Sequence, residues 1–317
     1  MRDLTGKVAL ITGSAGGIGR ACAAAGMRVV LSDIDEAELA RAEAVLRAAG
    51  GDVMSVRLDV TSREDWARIA EEVTAGLGPV QLLVNNAGIS TYGMRFEEIG
   101  PAVWDRVVGI NLTSVYNGVH YFLGAMRAAG TGHIVNTSSA GGLIGIPGLA
   151  PYCATKFALV GFSESLRAEL AGTGIGVSVL CPGTVRTRIR QTSRAAGARP
   201  NPVPDPAGGA DGQLAAMEPD EVGRRVLDAV AADEPYIFSH ADVRGAVIER
   251  HERLMRGFDR AQAFPGRLPG GSGRPAGLLD GFFQATGARL DLGQALRVAA
   301  AALEFADQLP GLDEYVV

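Results

Sequence analysis

Short runs rich in β-branched residues alternate along the chain with longer Ala/Leu/Glu/Arg segments whose apolar positions recur with helical period. The pattern predicts strands at 7–12 (KVALIT), 28–32 (RVVLS), 53–58, 81–86, 133–138, 175–181 and 236–239, and helices at about 17–25, 35–49, 62–76, 101–129, 151–172 and 219–232. Pro101 and Pro219 each fall at a first helical turn, where a missing N–H leaves no bond unmade. KVALIT, QLLVN and GVSVLC are continuously apolar instead of alternating, as expected of strands covered on both faces. The expected fold class is therefore α/β: a doubly wound, parallel, seven-stranded sheet with helices on both faces.

Two segments break this rhythm. Residues 188–217 contain RPNPVPDPAGGADG, too polar and too broken to pack as an element. A long loop that follows a strand end is expected to cover a binding site. PGRLPGGSGRP, at 265–275, separates the sheet from a tail that reads as two helices, near 276–287 and 292–308, with an apolar stripe of Leu292, Leu296 and Leu303. The expected organisation is one domain over residues 1–263, with 188–217 as its substrate loop, followed by a linker and helical tail over 264–317.

Composition narrows the partners. Thirty basic and 35 acidic side chains give a net charge of −5, and the basic residues form no run that could track a phosphate backbone, so no nucleic-acid partner is expected. No apolar run approaches the roughly 18 residues needed to span a bilayer, and MRDLTGKVALIT lacks the pattern of a signal peptide. A cytoplasmic protein without membrane association is the expectation. Cys22, Cys153 and Cys181 show neither a disulfide framework nor metal-ligand spacing, and no metal is expected. His120, His133, His240 and His251 likewise lack metal spacing and read as structural.

The first strand runs directly into Thr12-Gly13-Ser14-Ala15-Gly16-Gly17-Ile18-Gly19 and then into a helical segment. Glycines there permit a sharp turn and bring backbone amides close to a pyrophosphate, at a helix end whose dipole favours an anion. Asp33, twenty residues beyond Gly13 at the end of the second strand, is placed to accept hydrogen bonds from an adenosine ribose diol. Its carboxylate would repel a 2′-phosphate, and neither the glycine turn nor Ile34 supplies a cation for one. The reading is a Rossmann-type dinucleotide site that favours NAD over NADP.

The spacing TGxxxGxG, unlike GxGxxG, resembles that of the short-chain dehydrogenase/reductase family. The resemblance continues through Asp59-Val60, similar to the pair that cradles adenine, and Asn85-Asn86-Ala87-Gly88, similar to the family's NNAG turn. Asn111, Ser139, Tyr152 and Lys156 fall where the family carries its catalytic tetrad. Pro182-Gly183-Thr184-Val185-Arg186-Thr187 resembles the PGxVxT segment beside the nicotinamide. The motifs span residues 5–187 in order, and the patterning extends to about 262. The resemblance implies cofactor contacts from Gly13, Ser14, Gly17, Ile18, Gly19, Asp33, Ile34, Asp59, Val60, Asn86, Ala87, Gly88, Tyr152, Lys156, Pro182, Gly183, Val185 and Thr187. It also implies a homotetramer or homodimer built through the helices at 101–129 and 151–172. One departure stands out: RACAAAG after Gly19 is about four residues shorter than the family pattern, close to one helical turn and about 6 Å of rise.

Tyr152 and Lys156 are four apart in a helical stretch, so both can address one pocket. Lysine occurs only at Lys7 and Lys156, every other basic side chain being arginine. A phenol is a poor base at neutral pH and needs nearby positive charge, which Lys156 and an oxidised nicotinamide can supply. Tyr152 is then expected to exchange a proton with the substrate oxygen as hydride moves to or from the nicotinamide C4. Ser139 is expected to hold that oxygen, with Ser138 as the competing assignment, and by resemblance Asn111 would bind a water that relays protons from Lys156. The apolar segment GGLIGIPGL at 141–149, with Leu143, reads as one wall for a hydrophobic small-molecule substrate. The expected activity is an NAD(H)-dependent interconversion of a secondary alcohol and a ketone. Alternatives are an NADPH-dependent carbonyl reductase, or an NAD-binding sensor or scaffold without turnover.

Overall fold

The computed structural model describes residues 3–13, 25–91, 94–195 and 216–262. The chain divides into two compact units, Met1–Glu252 and Arg253–Val317. Of the second, the described residues are the C-terminal end of one helix. The first-helix region at 17–24, with its shortened RACAAAG, and the tail helices lie outside the described residues.

The first unit is built on β1 (Val8–Thr12), β2 (Arg28–Asp33), α1 (Glu36–Ala48), β3 (Val53–Arg57), α2 (Arg63–Leu77) and β4 (Val80–Asn85). There follow α3 (Pro101–Val108), α4 (Ser114–Ala129), β5 (Gly132–Thr137), α5 (Ala150–Glu169), β6 (Ile175–Cys181), α6 (Ile189–Ala195), α7 (Pro219–Ala232), β7 (Tyr236–Phe238) and α8 (Arg244–Gln262). The strands form one seven-stranded parallel sheet in the order β3-β2-β1-β4-β5-β6-β7.

The continuous apolar strands follow from two buried faces. In β1, Ala9 and Ile11 pack on one layer, with Leu39 and Leu46 of α1 and Val222 and Val226 of α7. Val8 and Leu10 pack on the other, with Trp66 and Ile69 of α2 and Phe122 and Met126 of α4. Alternate side chains of β1 therefore point to opposite faces, and each face meets an apolar helical layer. Helix starts are set locally: Asp35 accepts from Glu38 N at 3.1 Å to cap α1, and Ser62 accepts from Asp65 N at 3.1 Å to cap α2. Pro101 and Pro219 open α3 and α7 as the sequence predicts.

Two elements differ from expectation. The helix predicted over 101–129 is interrupted by a π-helical turn at Gly109–Thr113, which divides it into α3 and α4. The turn holds one extra residue, which a 3.6-residue period cannot reveal, and such turns cluster at functional sites. The segment 188–217, read as too broken for any element, begins with the helix α6 and ends where Met217 forms a parallel bridge with Val185. The Pro/Gly stretch itself, 196–215, lies outside the described residues.

Because strand order reverses between β1 and β4, the chain departs in opposite directions from the C-terminal ends of these two strands. The crevice there is where open α/β sheets bind ligands.

Candidate active site

The floor of the crevice is a seam between β1 and β4. Thr12 Oγ1 accepts from Asn86 N at 2.9 Å and from Ala87 N at 3.1 Å, while Asn86 Nδ2 donates to Thr12 O at 3.1 Å. Gly13 follows with φ +66°, and a Cβ there would stand 2.9 Å from Ala87 Cα, so only glycine lets the two strand ends meet. Gly13, Asn86 and Ala87 are thus brought together, with Gly88 next along the chain. Ser14, Gly17, Ile18 and Gly19 lie outside the described residues.

On the β2 side, Asp33 is half-buried and accepts from Asp35 N at 3.0 Å, and Ile34 is 58% exposed. Asp59 Oδ1 accepts from Thr61 N at 2.9 Å and from Thr61 Oγ1 at 2.7 Å. The neighbouring Val60 is held through its carbonyl, which accepts from the buried Trp66 Nε1 at 2.9 Å. The residues expected on this flank of a dinucleotide therefore stand on turns tied into the core.

On the other flank, α5 carries Tyr152 and Lys156 on one face. Lys156 is buried; its Nζ donates to Thr137 O at 2.7 Å and stands 5.6 Å from the Tyr152 ring centroid. Burial pushes this ammonium down to about 8. Asn111, at the centre of the π turn, is fully buried: its Oδ1 accepts from Ile89 N at 2.8 Å, and its Nδ2 donates to Ile89 O at 2.9 Å and Thr155 Oγ1 at 3.1 Å. Its side chain fastens the exit from β4 to α5, three residues from Tyr152. A Cβ on Gly88 would be 3.5 Å from both Asn111 Oδ1 and Lys156 Nζ, which places these two groups around one point.

The two serines after β5 have different surroundings. Ser138 is buried and its Oγ donates to Lys156 O at 2.7 Å, so its proton is committed to the helix. Ser139 is half-buried, and its Oγ accepts from Gly141 N at 3.1 Å, which leaves its hydroxyl proton to donate. Sequence alone did not reveal what holds this turn against α5. A Cβ on Gly142 would collide with Ser138 Oγ and stand 2.6 Å from Lys156 O. Leu143 ends the turn, half-buried.

The segment after β6 is pinned from β7. Gly183 N donates to Ser239 Oγ at 3.0 Å, and Ser239 Oγ pairs with His240 Nδ1 at 2.6 Å. His240, remote from the tetrad in sequence, therefore packs against the site. Pro182 O accepts from Ala140 N at 2.8 Å, which joins this segment to the Ser139 turn. Val185 bridges Met217, and Thr187 Oγ1 accepts from Ile189 N at 3.4 Å. Cys153 and Cys181 are buried free thiols, and burial pushes Cys181 up to about 12, leaving it protonated. Cys22 lies outside the described residues. Among the described residues no group of three or more His, Cys, Asp or Glu could hold a metal ion, and no helix is long and apolar enough to cross a membrane.

Residues 7–197 match the family model described as short chain dehydrogenase. The chain belongs to the short-chain dehydrogenase family. Within this oxidoreductase family the chain is 39% identical over 206 residues to the oxidoreductase SadH of Mycobacterium tuberculosis, covering 62% of this chain and 73% of that protein. It is 38% identical over 188 residues to the 3-alpha-(or 20-beta)-hydroxysteroid dehydrogenase of Mycobacterium bovis, covering 58% and 71%. Among solved structures, a short-chain dehydrogenase/reductase from Burkholderia phymatum in complex with NAD superposes with a TM-score of 0.72 at 34% identity, covering 85% of this chain and 100% of that one. A metagenomic short-chain oxidoreductase in complex with NADP superposes with a TM-score of 0.60 at 33% identity, covering 74% and 95%. Structural neighbours of this short-chain dehydrogenase thus bind either nucleotide.

Proposed function

We propose that the protein is an NAD(H)-dependent oxidoreductase that interconverts a secondary alcohol and a ketone on a hydrophobic small molecule. The observation that carries this reading is the convergence of Tyr152, Lys156 and Ser139, with Ser138 committed to the backbone of Lys156. Gly13, Asn86, Ala87 and Gly88 would hold the dinucleotide at the crevice floor. Asp33, Ile34, Asp59 and Val60 would hold it on the adenosine flank, and Pro182, Gly183, Val185, Thr187, Tyr152 and Lys156 on the nicotinamide flank. The β1–β4 seam fits such a ligand, since it admits no side chain at Gly13. When bound, the nicotinamide supplies the hydride acceptor or donor.

The chain's own residues do the rest. Ser139 donates to the substrate oxygen and fixes its position. The Tyr152 hydroxyl takes the alcohol proton in oxidation and returns it in reduction. Lys156, held by Thr137 O, lends positive charge that favours the phenolate. Asn111 positions α5 through Thr155. Leu143 and the surrounding apolar turn form the hydrophobic wall.

Preference for NAD is supported by the groups around Asp33. Arg57, its partner across the strand pair, is 3.5 Å from Asp65, so the neighbouring cation already faces an acid. The NAD-bound neighbour and the relative named as a hydroxysteroid dehydrogenase also support the reading.

The test is Tyr152→Phe, assayed by NADH fluorescence titration and by absorbance at 340 nm against apolar ketones and alcohols. The expected result is unchanged NADH binding and turnover reduced at least about a hundredfold, the scale of general acid–base catalysis. Substantial residual turnover overturns the assignment, and preference for NADPH overturns the reading of Asp33.

A further inference from the structure

A polar row runs through the otherwise apolar layer between the sheet and the helices α4 and α5. Asn85 and Asn136 are partners across β4 and β5, two residues beyond Leu83 and Ile134, and so face the same layer. Asn85 Nδ2 donates to Asn136 Oδ1 at 2.9 Å, Asn136 Nδ2 to Ser163 Oγ at 3.0 Å, and Ser163 Oγ to Leu159 O at 2.7 Å. All three side chains are buried. A Cβ on Gly118 of α4 would collide with Asn85 Oδ1, so α4 leaves space for the row. Such a chain adds little net stability, because each bond replaces one to water. What it adds is direction, which apolar packing lacks.

The row ends on the helix that carries Tyr152 and Lys156. Ser163 lies seven residues past Lys156, close to two turns and about 10 Å along α5, on the same face. Three consecutive residues at the end of β5 hold α5 at these two levels. Thr137 O accepts from Lys156 Nζ at 2.7 Å, Ser138 Oγ donates to Lys156 O at 2.7 Å, and Asn136 reaches Ser163. One level alone would leave the helix free to turn about it. A turn of about 10° moves an atom on the rim of a helix, roughly 6 Å from the axis, by about 1 Å. Misplacement on that scale can cost about a hundredfold in rate.

We propose that Ser163 is a positioning residue of the reaction: by accepting from Asn136 it sets the rotation of α5, and so holds Lys156 and Tyr152 where they act on the substrate oxygen. The proposal rests on the reading of Tyr152 as the acid–base group. Ser163 acts through α5 and contributes no group to the reaction.

The test has two arms, one of which needs no turnover. Lysine occurs only at Lys7 and Lys156, so protein labelled with carbon-13 at lysine Cε gives two side-chain NMR signals, assigned with Lys7→Arg. Lys156, pushed down to about 8 by burial and faced by the Cys181 thiol and the Tyr152 ring, should titrate closer to the ordinary lysine value in Ser163→Ala, while Lys7 stays unchanged. Ser163→Thr keeps the hydroxyl and should retain the wild-type Lys156 signal and midpoint. In the second arm, turnover at 340 nm is normalised to titrated NADH-binding sites. In Ser163→Ala kcat should fall about tenfold, with KM for the nucleotide changed less than about threefold, and Ser163→Thr should restore it. Asn136→Ala breaks the same bond from its other partner, and the double variant should be no slower than Asn136→Ala. A Lys156 signal unmoved in both Ser163→Ala and Asn136→Ala, or a kcat unchanged when that signal moves, overturns the proposal. So does a Ser163→Thr that behaves as Ser163→Ala. Turnover retained in Tyr152→Phe overturns the acid–base reading instead, and the Lys156 signals still decide whether Ser163 sets α5.

Discussion

Acidification should weaken this fold through one imidazole at the end of the sheet opposite the crevice. His133, on β5, has no exposed surface. Its Nε2 is 2.7 Å from Ser178 Oγ, whose own proton is donated to Glu234 O at 2.5 Å, so Nε2 carries the hydrogen and Nδ1 a bare lone pair. That Nδ1 is buried without a hydrogen-bond partner, 3.9 Å from Asp233 Oδ1. The Asp233 carboxylate is itself held by Arg167, with Nη1–Oδ1 and Nη2–Oδ2 both 3.0 Å. Burial pushes the imidazole down from 6.5 to about 4, with Asp233 opposing the change and Arg167 assisting it, so at neutral pH the contact with Asp233 is not an ion pair. Below pH 6.5 the unfolded chain takes up a proton that the folded one refuses, so the stabilisation is complete above 6.5 and is lost as pH falls to about 4. The depression amounts to about 3 kcal/mol between pH 7 and pH 4, a large part of the roughly 5–15 kcal/mol that separates folded from unfolded domains. In His133→Gln the side-chain amide can still donate toward Ser178 but does not titrate. Urea denaturation of both proteins at pH 7, 6, 5 and 4 isolates this contribution, since the carboxylates are common to both. The wild type should lose about 3 kcal/mol more than His133→Gln over this range; parallel curves within about 0.5 kcal/mol would refute the argument.

Two further outcomes follow from the crevice. Gly142→Ala forces a methyl against Ser138 Oγ and Lys156 O, and should destabilise the protein by about 1–3 kcal/mol in thermal melts and lower kcat, whereas Gly141→Ala, with its nearest contact at 3.3 Å, should be milder on both counts. Equal effects of the two would show that the turn is not seated on α5 by Gly142. Asp33→Ser removes the carboxylate that opposes a 2′-phosphate; paired titrations should show NADH binding weakened and NADPH binding strengthened, and an unchanged ratio would count against a role for Asp33.

The strands and helix starts were legible because burial on two faces and capping leave local signatures: KVALIT is apolar throughout, and Asp35, Ser62, Pro101 and Pro219 mark first turns. The Tyr152–Lys156 pair was legible because one helical turn connects it. Relations across the sheet were not. Ser138 and Ser139 are equivalent as neighbours in sequence and become distinct only when α5 lies against one of them. His240 meets Gly183 through strand pairing 57 residues apart, and Arg188 meets α1 across 150. The π turn leaves no compositional trace, because Gly109-Ile110-Asn111-Leu112-Thr113 is as ordinary for a helix as the residues beside it.

That turn also governs which changes of length the chain can accept. Removing one residue from Gly109–Thr113 would yield a uniform α-helix and improve its local hydrogen bonding. It would also rotate everything downstream by about 100° relative to α3. Phe122 and Met126 would swing off the sheet, and Asn111 could no longer reach both Ile89 and Thr155. The surplus residue behaves as a phase shifter between two helices that answer to different neighbours. Insertions and deletions elsewhere on the surface can be absorbed by loops; here the chain's length is counted to the single residue.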